Sequence, residues 1–240
     1  MAFQISLTSK SSEIIRDYSP EGIDLQGPYE VGLKHFVFWN TVYNVTSENN
    51  TIILIQKKEK KNGSILNIFH HVSVTPGFYE LDEIINHLHR LPIFIQSSTY
   101  VDIIKQTLKI RIKSVWDIDF TTKNSIGQIL GFSKKVIPAN TEAFSDLPVN
   151  VFSINTVKIH CNLIRSNIED LKRNRSILYE FPLDTNKIGS KVIKESNPIC
   201  YFDVNTDVIY ELVVRITDQS NKLINFNDEE INLTLDFRPK

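Results

Sequence analysis

The chain has 240 residues, 41% of them hydrophobic and 23% charged, which is enough to bury a core without a metal or disulfide staple. Lys and Arg number 27 against 28 Asp and Glu, and the net charge of −1 argues against a protein whose main task is coating nucleic acid. Eight Gly, nine Pro and two Cys exclude a low-complexity chain, a collagen-like chain and a disulfide scaffold.

Period two dominates from the start. Phe3, Ile5 and Leu7 alternate with polar residues and predict a short strand rather than a signal peptide, which would need a basic start and a continuous apolar stretch. No segment reaches the ~18 apolar residues of a membrane span, so a soluble chain that stays inside the cell at synthesis is expected, in the nucleus or cytoplasm. Gly27-Pro28 marks a turn before the run at residues 29–39, of which residues 33–39 are more continuously apolar than the alternating stripes, as are residues 52–55. Both are rich in β-branched and aromatic residues, as in strands covered on two faces. Asn62-Gly63 then predicts a hairpin turn, with Lys57, Lys58, Lys60 and Lys61 placed at its charged tip.

The first of two predicted helices covers residues 81–88. Leu81, Ile84, Ile85 and Leu88 recur at helical spacing, Glu80, Asp82 and Glu83 come early, His87, His89 and Arg90 come late, and Pro92 closes it. Leu108, Ile110 and Ile112 predict a strand whose other face is Lys109, Arg111 and Lys113. The second helix is predicted over residues 125–130, capped by Ser125 and stopped by Gly131. A strand stripe follows at Val157, Ile159, Cys161 and Leu163. Residues 166–198 read as long irregular loops with a short strand at 177–181. Val208, Tyr210, Leu212, Val214 and Ile216 make a further stripe, and Ile231, Leu233, Leu235 and Phe237 make the clearest one, with every intervening residue polar. With no linker composition and no repeat, residues 1–240 read as one all-β domain, an antiparallel sandwich with one or two short inserted helices. The strand pattern alone leaves a jelly roll, an immunoglobulin-like sandwich and a barrel open; the inserted helix and long connections favour the jelly roll.

Chemistry-bearing patterns are sparse. His70-His71 are adjacent on a strand and point to opposite faces, and His87 and His89 diverge on a helix, so neither pair has metal-ligand spacing. His35 and His160 stand alone, and His160 and Cys161, being neighbours, also diverge. Asp117 and Asp119 share a strand face, where a solvated pair is the ordinary reading and acid–base or cation chemistry the sharper one. No phosphate loop, nucleophile elbow or Cys-x-x-Cys occurs. No cofactor and no enzymatic activity are therefore expected, and both cysteines are expected to be buried free thiols. The lysine run reads as a solvated loop that discourages edge pairing, or as an electrostatic contact for nucleic acid or an acidic partner.

Several segments, in order, resemble the minor capsid (penton) protein of Polinton/Maverick elements and the related adintoviruses. They are Met1-Ala2-Phe3-Gln4-Ile5-Ser6-Leu7-Thr8, Gly22-Ile23-Asp24-Leu25-Gln26-Gly27-Pro28-Tyr29-Glu30-Val31-Gly32-Leu33, Pro76-Gly77-Phe78-Tyr79, Ile126-Gly127-Gln128-Ile129-Leu130-Gly131-Phe132, Val157-Lys158-Ile159-His160-Cys161-Asn162 and Ile231-Asn232-Leu233-Thr234-Leu235-Asp236-Phe237-Arg238. Tyr29 stands where the family usually has Trp, and Lys34-His35-Phe36 replaces a more acidic stretch, departures that fit a diverged or domesticated copy. The resemblance implies a jelly-roll virion protein that forms homopentamers at capsid vertices and meets a double-jelly-roll major capsid protein, without catalysis, cofactor or membrane. Aromatics beside polar loops are then the candidate ring contacts: Tyr18, Tyr29, Phe144 and Phe181. Two other readings remain. Trp39, Trp116 and Tyr100 would suit a carbohydrate- or receptor-binding sandwich, and a cupin-like enzyme would need the His-x-His pair that this sequence lacks.

Overall fold

The structure is a computed structural model, and it describes residues 1–152, 154–164, 177–183 and 189–240. The first strands are β1 (Phe3–Ser9), β2 (Glu13–Asp17), β3 (Ile23–Asp24) and β4 (Tyr29–Trp39). Next come β5 (Thr51–Glu59), β6 (Ile65–Ser73), helices α1 (Leu81–Arg90) and α2 (Pro92–Gln96), β7 (Tyr100–Ile104), β8 (Lys109–Lys113) and β9 (Asp117–Asp119). A 3-10 turn at Ile126–Gln128 precedes β10 (Val136–Ile137) and β11 (Ala143–Phe144). The rest are β12 (Thr156–Cys161), β13 (Ile177–Pro182), β14 (Lys191–Glu195), β15 (Phe202–Asp203), β16 (Val208–Ile209), β17 (Glu211–Thr217) and β18 (Ile231–Pro239). Contacts divide the chain into two compact units, one of Met1–Val42 with Ile154–Lys240 and one of Tyr43–Ser153.

The first unit is an antiparallel sandwich. One sheet has the order β1-β18-β4-β14, with β15 also on β4, and the other has the order β13-β12-β17-β2. Taking its eight main strands in chain order, first pairs with eighth, second with seventh, third with sixth and fourth with fifth. That is a chain folded at its midpoint and rolled up, the strand order of a jelly roll. The expected fold class therefore holds, and the jelly roll that the sequence reading spread over residues 1–240 is built by this unit. Alternation explains its core: Ile231, Leu233, Leu235 and Phe237 of β18 are buried, as are Leu212, Val214 and Ile216 of β17 and Val157, Ile159 and Cys161 of β12. Phe36 and Phe38 of β4 meet Phe181 of β13 with ring centroids 6.2 and 6.4 Å apart, which ties one sheet to the other. A bulge between Thr234 and Leu235 interrupts the alternation. Thr234 is buried there and its hydroxyl lies within hydrogen-bond distance of Ser6 Oγ (3.1 Å) and His35 Nε2 (3.0 Å).

The second unit enters the chain between the third and fourth jelly-roll strands. Its sheets have the orders β10-β9-β5-β6 and β11-β8-β7. Ile84, Ile85 and Leu88 of α1 join Leu54, Val101, Ile110, Ile112, Phe120 and Phe132 in a core of its own. Glu80 and Glu83 cap α1 reciprocally, the Glu80 N–H donating to Glu83 Oε2 at 2.7 Å. Asn62 and Gly63 lie in the turn of the β5–β6 hairpin, where Gly63 has φ +78°.

Several expectations are corrected. Pro92 closes α1 as predicted but also opens α2, because a proline at the first helical position loses no hydrogen bond. The second predicted helix is only the 3-10 turn at Ile126–Gln128, with Ser125 Oγ accepting the Gly127 N–H at 3.1 Å. Leu108 is exposed in a turn at φ +53°, so the β8 stripe begins at Ile110. Tyr210 is exposed and Ile209 buried, because the strand breaks between β16 and β17 and the alternation changes phase. Within the stretch read as irregular, β14 pairs along β4; residues 165–176 and 184–188 lie outside the described residues.

Candidate interaction surfaces

The groups weighed for chemistry are used locally. The His70 ring stacks on Trp116 (4.8 Å), while its neighbour His71 is exposed. His89 Nε2 accepts the Val101 N–H at 3.2 Å and its ring lies over Tyr100, whereas His87 faces Tyr79. His160 Nε2 is 2.9 Å from Thr217 Oγ1. Asp117 is buried, correcting the solvated-pair reading: it accepts the Ala139 N–H at 2.8 Å and lies 2.6 Å from Lys57 Nζ. Asp119 accepts the Thr121 N–H instead. Among the described residues no group of three or more His, Cys, Asp or Glu is placed to hold a metal, and no helix is long and apolar enough to cross a membrane.

Asp146 is held well below the usual carboxylate range by hydrogen bonds from Lys135 Nζ (2.7 Å) and the Ser133 N–H (2.8 Å). Burial pushes the Cys161 thiol up to about 11. Cys200 is exposed, which corrects the expectation that both thiols are buried. Iodoacetamide at neutral pH is accordingly expected to alkylate Cys200 in the folded protein and Cys161 only after denaturation. Intact-mass measurement checks this, and two adducts on the native protein would contradict it.

The aromatic candidates separate. Tyr29 is buried and its hydroxyl donates to the Met1 carbonyl at 2.7 Å. Phe181 is buried against Phe36 and Phe38. Both pack into the jelly-roll core and have little surface left for a neighbour. Tyr18 is half-buried against the same core, and Phe144, 48% exposed, is the most available of the four. Of the aromatics considered for sugar binding, Trp39 and Tyr100 are exposed and Trp116 is committed to His70. Among the described residues no ring contact joins any two of these three.

The lysine run also divides. Lys57 lies on β5 and belongs to Asp117, whereas Lys58, Lys60 and Lys61 are exposed toward the turn. Behind them is a feature that sequence reasoning missed. β6 ends its sheet, and Ile65, Leu66 and Phe69 on it are 67%, 42% and 55% exposed. Ile65 and Phe69 face one side and Leu66 the other, because strand neighbours alternate. The signal was present: Ile65 and Phe69 fall on one alternating face and Leu66, Ile68 and Val72 on the other, and only one face can cover a core. A smaller apolar group lies at the β4–β14 pairing, where Ile193 and Trp39 are exposed.

No model of a known protein family matches the sequence, and no match is found among curated proteins. Among solved structures, the chain is similar to the crystal structure of the mavirus penton protein, at 12% identity and a TM-score of 0.46, over 99% of each chain.

Proposed function

We propose that this chain is a structural capsid protein, the penton subunit of a Polinton/Maverick or adintovirus-type particle. Five copies would close into a ring at each vertex of the virion and meet a double-jelly-roll major capsid protein. The observation that supports this most is where the penton-like segments fall. The opening segment is β1, the segment ending at Leu33 enters β4, Val157 to Asn162 spans β12 and the closing segment is β18. Ile126 to Phe132 places Ile126, Ile129, Leu130 and Phe132 in the core of the second unit, and the Pro76-Gly77-Phe78-Tyr79 segment leads into α1. The resemblance is thus carried by residues that build both cores rather than by a catalytic constellation.

The mechanism is geometric. A sandwich with a close-packed interior deforms little under load. Five-fold closure joins unlike faces of successive copies, so each subunit presents one surface and receives another. Loops at the sheet ends supply recognition of the major capsid protein. The test is co-expression with the major capsid protein encoded by the same element. Particles whose five-fold vertices contain this chain, and lack closed vertices without it, are the expected result. Vertices that form normally in its absence, or this chain found only as a trimer on projecting spikes, would overturn the reading.

A further inference from the structure

We infer that the β5–β6 hairpin is an assembly arm that docks on a second copy of this chain, at the loop joining β17 to β18. The inference rests on the ring reading above and names the contact that would close it.

The arm is built as an interface element without its partner. Its distal half pairs Ile55 with Phe69, Gln56 with Ile68, Lys57 with Asn67, Lys58 with Leu66 and Glu59 with Ile65. Ile65 and Phe69 are exposed on one face and Leu66 on the other. A long end strand that carries apolar residues on both faces is a pairing hazard in a monomer. Its turn is ordered, with the Lys60 N–H donating to the Ser64 carbonyl at 2.8 Å and the Gly63 N–H to the Lys60 carbonyl at 2.9 Å. That backbone presents Lys58, Lys60 and Lys61 at the end of a ribbon that exposes Ile65, Leu66 and Phe69 among polar residues. The surface that accepts it should be apolar and rimmed with acid.

This chain offers an acidic loop that carries one exposed leucine. In the loop between β17 and β18, Asp228, Glu229 and Glu230 are consecutive and exposed, and Leu223 of the same loop is 45% exposed. Glu230 accepts only a hydrogen bond from Asn232 Nδ2, at 3.1 Å, and no ion pair to any of the three acids is found among the described residues. The charge balance points the same way. Lys and Arg outnumber Asp and Glu within Tyr43–Ser153, which carries the arm, and the reverse holds for the unit that carries the acidic loop. Arm and loop are unlike surfaces, as a closed ring of identical copies requires.

Sedimentation velocity over a concentration series tests this on the full chain. Lys60→Glu with Lys61→Glu is expected to weaken self-association about tenfold or more, and Glu229→Lys with Glu230→Lys to do the same. Combining all four changes should restore it, which general destabilisation of the fold would not. Ile65→Ser with Phe69→Ser, at exposed positions, should abolish association with the circular dichroism spectrum unchanged. Association should also weaken as salt is raised. A wild-type chain that stays monomeric at every concentration, charge reversals without effect, or a combined variant that is not rescued would overturn the inference. Arm variants that still self-associate but fail to enter particles would assign the arm to the major capsid protein instead, and would leave the capsid reading standing.

Discussion

Leu235→Ala is expected to destabilise the jelly-roll unit by about 2–5 kcal/mol in denaturant unfolding, with little change in the slope of the transition. Leu235 is fully buried on β18, which lies between β1 and β4. Its register partners are Ile5 and Leu33, themselves buried. The substitution removes three carbon atoms from the apolar interior, which forfeits their transfer free energy. It also leaves a void, and hydrogen-bonded strands on both sides prevent the backbone from collapsing into it, so a cavity cost adds to the transfer cost. A loss below about 0.5 kcal/mol would instead place that face in solvent.

The second large effect is expected in the inserted unit, at Gly131. This residue follows the 3-10 turn at φ +80°, a conformation that L side chains adopt at a cost of about 1–2 kcal/mol. Space is a further obstacle. An added Cβ would overlap the Leu147 carbonyl oxygen, and this approach is itself part of the structure, because the Leu147 N–H donates to the Gly131 carbonyl at 3.0 Å. The obstructing atoms are backbone and cannot rotate away. Gly131→Ala should therefore cost about 3 kcal/mol or more. Gly63→Ala is the control: it shares the positive φ, at +78°, but nothing lies within 4 Å of its added Cβ, so about 1 kcal/mol is expected. Equal losses for the two variants would mean that backbone conformation alone matters at Gly131.

Local chemistry was legible wherever one residue and its near neighbours decide the outcome. Alternation located β1, β12, β17 and β18 and their buried faces, Asn62-Gly63 located the hairpin, and the acid-first, base-last order located α1. These follow from sterics, side-chain direction and the helix dipole, which act within a few residues.

Tertiary structure decided what depends on partners far away in the chain. Phe3 pairs with Phe237 and Glu13 with Arg215, and no local pattern states such a register. The rolled order of the sheets follows from those pairings. Residues 43–153 form a unit of their own between β4 and β12, and no Gly-, Pro- or Ser-rich linker marks its ends in the sequence. Alternation tells that a strand has an apolar face but not what covers it. That is why Phe181 is core, why Asp117 is buried against Lys57, and why Ile65, Leu66 and Phe69 of β6 are left to solvent. A side chain's burial is a property of the surfaces that meet around it, and those surfaces exist only once distant strands have paired.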